Sequence, residues 1–265
     1  MILDGKILAD IVADDLRKRT LGRDIRLAII LVGDDPSSIK YVNAKQRRAA
    51  DIGIRCDIFR FAETATESEI LQTLEKLNGD DTVNGIMVQL PLPGHIDTRT
   101  VTRAIAPAKD VDGLNPAGDF VPATVRGIEK ILEHYLYGAN FDLSGRTAVV
   151  VGRSEIVGRP AAKMLLDHNA TVTICHSRTK DLAEFTINAD ILVSATGVTG
   201  LIKPGHVKDG AVLIDAGTIG DIDRACWPKA SAYTPVPGGV GPMTIVSLLE
   251  NCVCASDCVS SSGVI

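Results

Sequence analysis

Short apolar runs rich in β-branched residues alternate with segments of helical spacing along almost the whole chain. That alternation leaves a parallel sheet flanked by helices as the expected architecture. Arg26 to Gly33 is a buried-strand run that ends in glycine. A helix is expected over Pro36 to Ala50, with Asp35 or a neighbouring polar residue as its cap, Pro36 in its first turn and Gly53 as its stop. Ile54 to Phe61 alternates like a strand, and Thr66 to Leu77 spaces its leucines and isoleucine like a helix. Asn84 to Leu90 is the next strand, ended abruptly by Pro91-Leu92-Pro93-Gly94. A second series begins near Thr124, with a helix to about Gly138 and a strand over Gly145 to Val151. It continues with a helix over Val157 to His168 and strands at Thr171 to Cys175, Asp190 to Ala195 and Ala211 to Asp215. Ala255 to Ile265 looks frayed.

Two α/β domains with a cleft between them fit this order within 265 residues. The formal charge of −5 argues against a nucleic-acid partner, which wants a concentrated basic face. No stretch reaches the ~18 to 20 apolar residues that a membrane span needs. Met1 to Lys6 lacks the basic and apolar regions of a secretory signal, so a cytoplasmic enzyme is expected. The six cysteines are not spaced as a disulfide framework. The trio Cys252, Cys254 and Cys258 has no histidine nearby to complete a zinc set, so no metal is expected.

The strand ending at Val151 runs into Gly152-Arg153-Ser154-Glu155-Ile156-Val157-Gly158, after which a helix begins. Such a turn lets backbone approach a phosphate at a helix N-terminus. Ser154 stands where the common fingerprint has its middle glycine, so the turn alone is also compatible with simple chain geometry. The next strand ends Cys175-His176-Ser177-Arg178-Thr179, with no carboxylate to meet a ribose hydroxyl. Ser177 and Arg178, with Arg153, offer donors to a 2′-phosphate, which favours NADP over NAD. An idle surface arginine is the alternative for Arg178.

Tyr41 and Lys45 lie four apart on one helix face. By spacing alone, a helix that also carries Lys40, Arg47 and Arg48 reads as a solvated surface. Three further segments change that balance. They are Val88-Gln89-Leu90-Pro91-Leu92-Pro93, Lys109-Asp110-Val111-Asp112-Gly113 and the run from Tyr233 to Thr244 with its Gly238-Gly239-Val240-Gly241-Pro242 core. Read with Ile2 to Lys6 and the Gly152 turn, they make the chain resemble the bifunctional methylenetetrahydrofolate dehydrogenase/methenyltetrahydrofolate cyclohydrolase family over nearly its whole length.

The resemblance implies NADP-dependent oxidation of 5,10-methylenetetrahydrofolate and hydrolysis of the methenyl product to 10-formyltetrahydrofolate. It implies Lys45 as the central catalytic residue, with Tyr41 orienting the folate, Gln89 partnering the lysine and Asp112 holding the pterin. Pro237, Gly238 and Gly239 would line the folate pocket. Gly152, Arg153, Ser154, Ile156, Val157, Ser177, Arg178, Thr196, Gly197, Gly217 and Thr218 would contact NADP. The implied organisation is a catalytic domain over 1–122 completed by a helix over 240–265, a Rossmann-type domain over 123–239, and a homodimer formed through the latter. Chemistry agrees with these roles, because a neutral lysine beside an uncharged amide can take a proton from water attacking the methenyl carbon.

Three departures stand out. Pro122-Ala123-Thr124-Val125-Arg126-Gly127 replaces a cysteine- and proline-bearing segment, leaving Thr124 as the expected helix cap. The connections from Gly113 to Pro122 and around Gly220 are short, and Thr218 stands where an apolar residue is common. A dehydrogenase on a related pterin with weak or no hydrolysis, or a non-catalytic NADP-binding module, stays open on the residues alone.

Overall fold

The computed structural model describes residues 1–261, with side chains through Asp257. Cys258 and the end of the expected frayed stretch lie outside the described side chains. In chain order the elements begin with α1 (Gly5–Thr20), β1 (Ile25–Val32), α2 (Pro36–Asp51), β2 (Ile54–Phe61) and α3 (Glu67–Asn78). There follow β3 (Gly85–Val88), α4 (Thr98–Arg103), α5 (Ala123–Leu132), β4 (Thr147–Val151), α6 (Gly158–Asp167) and β5 (Thr171–Cys175). The last are α7 (Ala183–Thr186), β6 (Ile191–Ser194), β7 (Val212–Asp215), β8 (Ala232–Tyr233) and α8 (Val240–Ser261). Two compact units result. One holds Ile11–Ala123 with Ile245 onward, and the other holds Met1–Asp10 with Thr124–Thr244.

The first unit is built on a parallel sheet of order β2-β1-β3. β1 is central because its sequence, IRLAIILV, is apolar on both faces, and only Arg26 is not fully buried. Fully burying each such side chain contributes roughly 1.5–3 kcal/mol. Strand β2 lies at an edge and is correspondingly half-exposed along most of its length. The Asp35 carboxylate accepts from Ser38 N and starts α2, as expected, in a cap of a kind that contributes about 1 kcal/mol. Thr66 and Glu69 close a reciprocal capping box at the start of α3. From Ile245 on, α8 packs into this unit through Val246, Leu249, Cys252 and Val253. Ala255, placed by sequence in the frayed stretch, is instead buried within this helix.

In the second unit five parallel strands run in the order β5-β4-β6-β7-β8. The first ten residues pack with this unit, where Leu3 N donates to Tyr233 O at 2.8 Å and Lys6 N to Gly238 O at 3.1 Å. Helix α5 begins one residue before Thr124, whose hydroxyl accepts from Thr244 Oγ1 instead of acting as the expected cap. It gives way to a wider π turn at Glu133–Tyr137 before Gly138.

Candidate active site

Lys45 is buried, at 7% exposure, while its neighbours Gln46 and Arg47 on α2 are exposed. The helix therefore turns this cation inward, while Lys40 and Arg47 are exposed. Lys45 Nζ donates to Gln89 Oε1 at 2.9 Å, and Gln89 Nε2 donates to Leu90 O at 2.7 Å. The second bond fixes the amide so that its oxygen faces the lysine. β3 delivers Gln89 to this point, since Gln89 N still donates to Ile30 O as the chain leaves the sheet. Burial pushes the Lys45 ammonium below its ordinary value, while the nearby Asp112 carboxylate and Cys56 thiol oppose that shift. Asp112 is pushed up by its own burial, with Lys45 pulling it back. Half-buried Tyr41 is likewise raised by burial. The structure thus brings Lys45, Gln89 and Asp112 into one electrostatic group, with Tyr41 one turn earlier on the same helix.

The Lys109-to-Gly113 segment divides its labour. Lys109 Nζ donates to the carbonyls of Leu77, Asn78 and Asp80 at 3.2, 2.9 and 2.8 Å, satisfying the C-terminal end of α3. Asp110 is buried and accepts from the backbone of Asn115, and burial raises its carboxyl to about 6. Val111 enters the core, and its carbonyl accepts from Asn251 Nδ2 of α8 at 3.0 Å. Gly113 turns at φ +71°, where a Cβ would stand 2.7 Å from Phe120 O. These anchors hold Asp112 in place. Lys109, Asp110 and Asn251 were not singled out from sequence as supports, because only their burial and partners separate them from loop polar residues. Cys56 was also missed as a neighbour of Lys45. It sits on β2, and burial raises its thiol to about 11, which makes it a poor nucleophile.

In the second unit the Gly152 turn joins β4 to α6. Gly152 has φ +126°, and a side chain on it would collide with Ala195 O. A side chain on Gly158 would collide in turn with Gly152 O, so the spacing of six brings strand end and helix start into backbone contact. Ser154, at the missing middle glycine, accepts through Oγ from Val157 N and Gly158 N, both at 3.2 Å. Its hydroxyl caps the first turn of α6. Arg153, Ser154 and Ile156 are exposed, and Val157 is half-buried. At the end of β5, His176 and Thr179 close a turn on each other, leaving Ser177 and Arg178 exposed at its tip. Thr196 and Gly197 follow β6, and Gly217 and Thr218 follow β7, so all these residues cluster at the C-terminal ends of the parallel strands, where such sheets bind ligands. This donor set fits a phosphorylated dinucleotide.

Within the same unit, Gly239 is pressed against Pro235 O, where a Cβ would stand 2.6 Å away. Gly5 packs against Gly239 O with no room for a side chain. Pro237 is exposed and Gly238 half-buried, so the Gly-rich segment is braced by the N-terminal residues that pair with it.

Comparison with known proteins identifies the family. Residues 3–112 match the model of the tetrahydrofolate dehydrogenase/cyclohydrolase catalytic domain, and residues 122–259 match that of its NAD(P)-binding domain. The bifunctional protein FolD of Agathobacter rectalis is 45% identical over 275 residues, covering 95% of this chain and 97% of the relative. The bifunctional FolD enzyme of Campylobacter jejuni superposes with a TM-score of 0.90 at 40% identity, covering 97% of this chain and 98% of that one. The Trypanosoma brucei dehydrogenase-cyclohydrolase, solved with NADP and an inhibitor, has a TM-score of 0.91 at 31% identity, covering 100% and 99%. Among the described residues no helix is long and apolar enough to cross a membrane. Matched in both domains, the chain belongs to the tetrahydrofolate dehydrogenase/cyclohydrolase family and is an α/β enzyme with a catalytic and an NAD(P)-binding domain.

Proposed function

We propose that this chain oxidises 5,10-methylenetetrahydrofolate with NADP and hydrolyses the resulting 5,10-methenyltetrahydrofolate to 10-formyltetrahydrofolate, with Lys45 at the centre of the chemistry. The observation that carries the reading is the buried Lys45, bonded to an uncharged amide and held below its ordinary pKa. NADP, when bound, supplies the acceptor for the hydride leaving the methylene carbon. That departure leaves a delocalised cation, which a fully charged ammonium alongside would oppose. Desolvation and the neutral Gln89 partner lower that opposition. In hydrolysis, water adds to the methenyl carbon and Lys45 Nζ accepts one of its protons; that proton passes to N5 as the carbon–N5 bond breaks, and the adduct hydroxyl releases its proton to water as it becomes the carbonyl of the formyl group on N10.

Asp112 accepts donors from the amino-pyrimidine edge of the pterin, and Tyr41 orients the ring. Pro237, Gly238 and Gly239 line the folate pocket. Gly152, Arg153, Ser154, Ile156, Val157, Thr196, Gly197, Gly217 and Thr218 hold NADP, with Ser177 and Arg178 at its 2′-phosphate. The same reading assigns residues 1–122 and the C-terminal helix to the catalytic part, and makes the protein a cytoplasmic homodimer that supplies one-carbon units for purine synthesis. No nucleic acid or membrane partner is involved. Supporting the homodimer, β5 is an edge strand that carries exposed Ile174.

Purified protein given methylenetetrahydrofolate should form NADPH with NADP, turn over at least about tenfold less efficiently with NAD, and hydrolyse added methenyltetrahydrofolate. Turnover with NADP but no hydrolysis would reduce the chain to a dehydrogenase. Binding of NADP without either reaction would refute the enzymatic reading.

A further inference from the structure

Asp221 is wholly buried in the second unit and has no part in the roles assigned above. Its Oδ2 accepts from Ser194 Oγ at 3.0 Å, Thr196 N at 2.7 Å, Thr196 Oγ1 at 2.9 Å and Gly197 N at 3.2 Å. One carboxylate oxygen thus gathers the end of β6 and the loop that follows it. Its Oδ1 has no hydrogen-bond partner and lies against Gly217, where any side chain would strike it. A second buried carboxylate works beside it, as Asp215 accepts from Gly217 N and Ile222 N, both at 2.9 Å.

The geometry reaches a third loop. A trans peptide directs its C=O opposite to its N–H. With Thr196 N–H turned onto Asp221, the Ala195 carbonyl is turned away from that carboxylate, and it is this oxygen that rests against Gly152. One buried carboxylate therefore sets the Gly152 turn, the Thr196-Gly197 loop and the Gly217 loop relative to one another. Charge-assisted bonds to backbone N–H groups are stronger than neutral ones, and a carboxylate can accept several at once.

We propose that Asp221 is a positioning residue for the nicotinamide dinucleotide. It acts through the backbone of these three loops and does not touch the cofactor. The proposal rests on the assignment of Gly152, Thr196, Gly197, Gly217 and Thr218 to NADP under the proposed function.

Two variants test it, Asp221→Ala and Asp221→Asn, each assayed for NADP-linked oxidation, for hydrolysis of added methenyltetrahydrofolate and for NADPH binding by fluorescence. Asp221→Ala should raise the KM for NADP and weaken NADPH binding at least about tenfold, because several charge-assisted bonds are lost together. Hydrolysis should stay within about twofold of wild type, since Lys45, Gln89 and Asp112 belong to the other unit. Asp221→Asn keeps one acceptor oxygen and should recover part of the affinity even if the alanine variant folds poorly. Unchanged NADPH affinity in both Asp221 variants overturns the proposal. So does a parallel loss of hydrolysis, which would mark Asp221 as a general structural support. Absence of NADPH binding by the wild type defeats the functional reading itself, and the proposal with it.

Discussion

Replacing Lys45 with methionine should lower methenyltetrahydrofolate hydrolysis at least about 100-fold while leaving NADPH binding intact. Methionine keeps most of the stem's length and packing and removes the amine that donates to Gln89 Oε1 and is assigned the proton from water. Lys45→Arg separates charge from base function. Guanidinium stays protonated at any usable pH, so it retains the positive charge and lacks the neutral form. The arginine variant should therefore fail in hydrolysis as fully as the methionine variant. Steady-state hydrolysis followed by loss of methenyl absorbance reads both, and an arginine variant that retained hydrolysis would remove Lys45 as the base.

Gly152→Ala should raise the KM for NADP at least about tenfold, with hydrolysis of added methenyltetrahydrofolate largely preserved. Two effects coincide at this position. Its φ of +126° is one that L side chains rarely adopt, and the new methyl would collide with Ala195 O, a backbone atom that cannot swing aside. The strain must be relieved by moving the end of β4 or the loop after β6, and both border the expected cofactor contacts. Gly205→Ala is the matched control, since its Cβ meets nothing within 4 Å. Initial rates across NADP concentrations decide the matter, and an unaltered KM in Gly152→Ala would detach that turn from cofactor binding.

The large elements were legible because their patterns are physical requirements. β1 reads as a central strand from its unbroken apolar run, and α2 announces its start through Asp35 and Pro36. Helix α1 was harder to read. Its buried residues Leu8, Ala9, Ala13 and Leu16 follow helical spacing, but Ile7 and Ile11 are apolar and more than half exposed, which blurs the period. The two-residue strand β8 is too short to carry any alternation, although it anchors the N-terminus through Tyr233.

The site divides along the same line. Spacing placed Tyr41 and Lys45 on one face but favoured a solvated helix, and only the tertiary fold shows that Lys45 alone is turned inward among those cations. Asp221 is the reverse case. An acid between glycine and isoleucine in a short loop looks like a solvated turn, and nothing local reveals that four donors from Ser194, Thr196 and Gly197 converge on it. Ser154 was read correctly as a departure from the glycine fingerprint, while its hydroxyl's role as the cap of α6 emerged only from the backbone geometry.

The central claim is that Lys45 is poised to work in its neutral form, and NMR titration of isotopically labelled lysine measures this directly. The Lys45 resonance is assigned by its absence in Lys45→Met. Because burial lowers its pKa, Nζ should titrate below the ordinary 10.5 of a lysine. The sign then follows for catalysis. Hydrolysis should rise with pH through that lowered value, level off above it, and be lost as falling pH restores the ammonium. A Lys45 that titrates at or above 10.5, or hydrolysis that does not follow its deprotonation, would contradict the account.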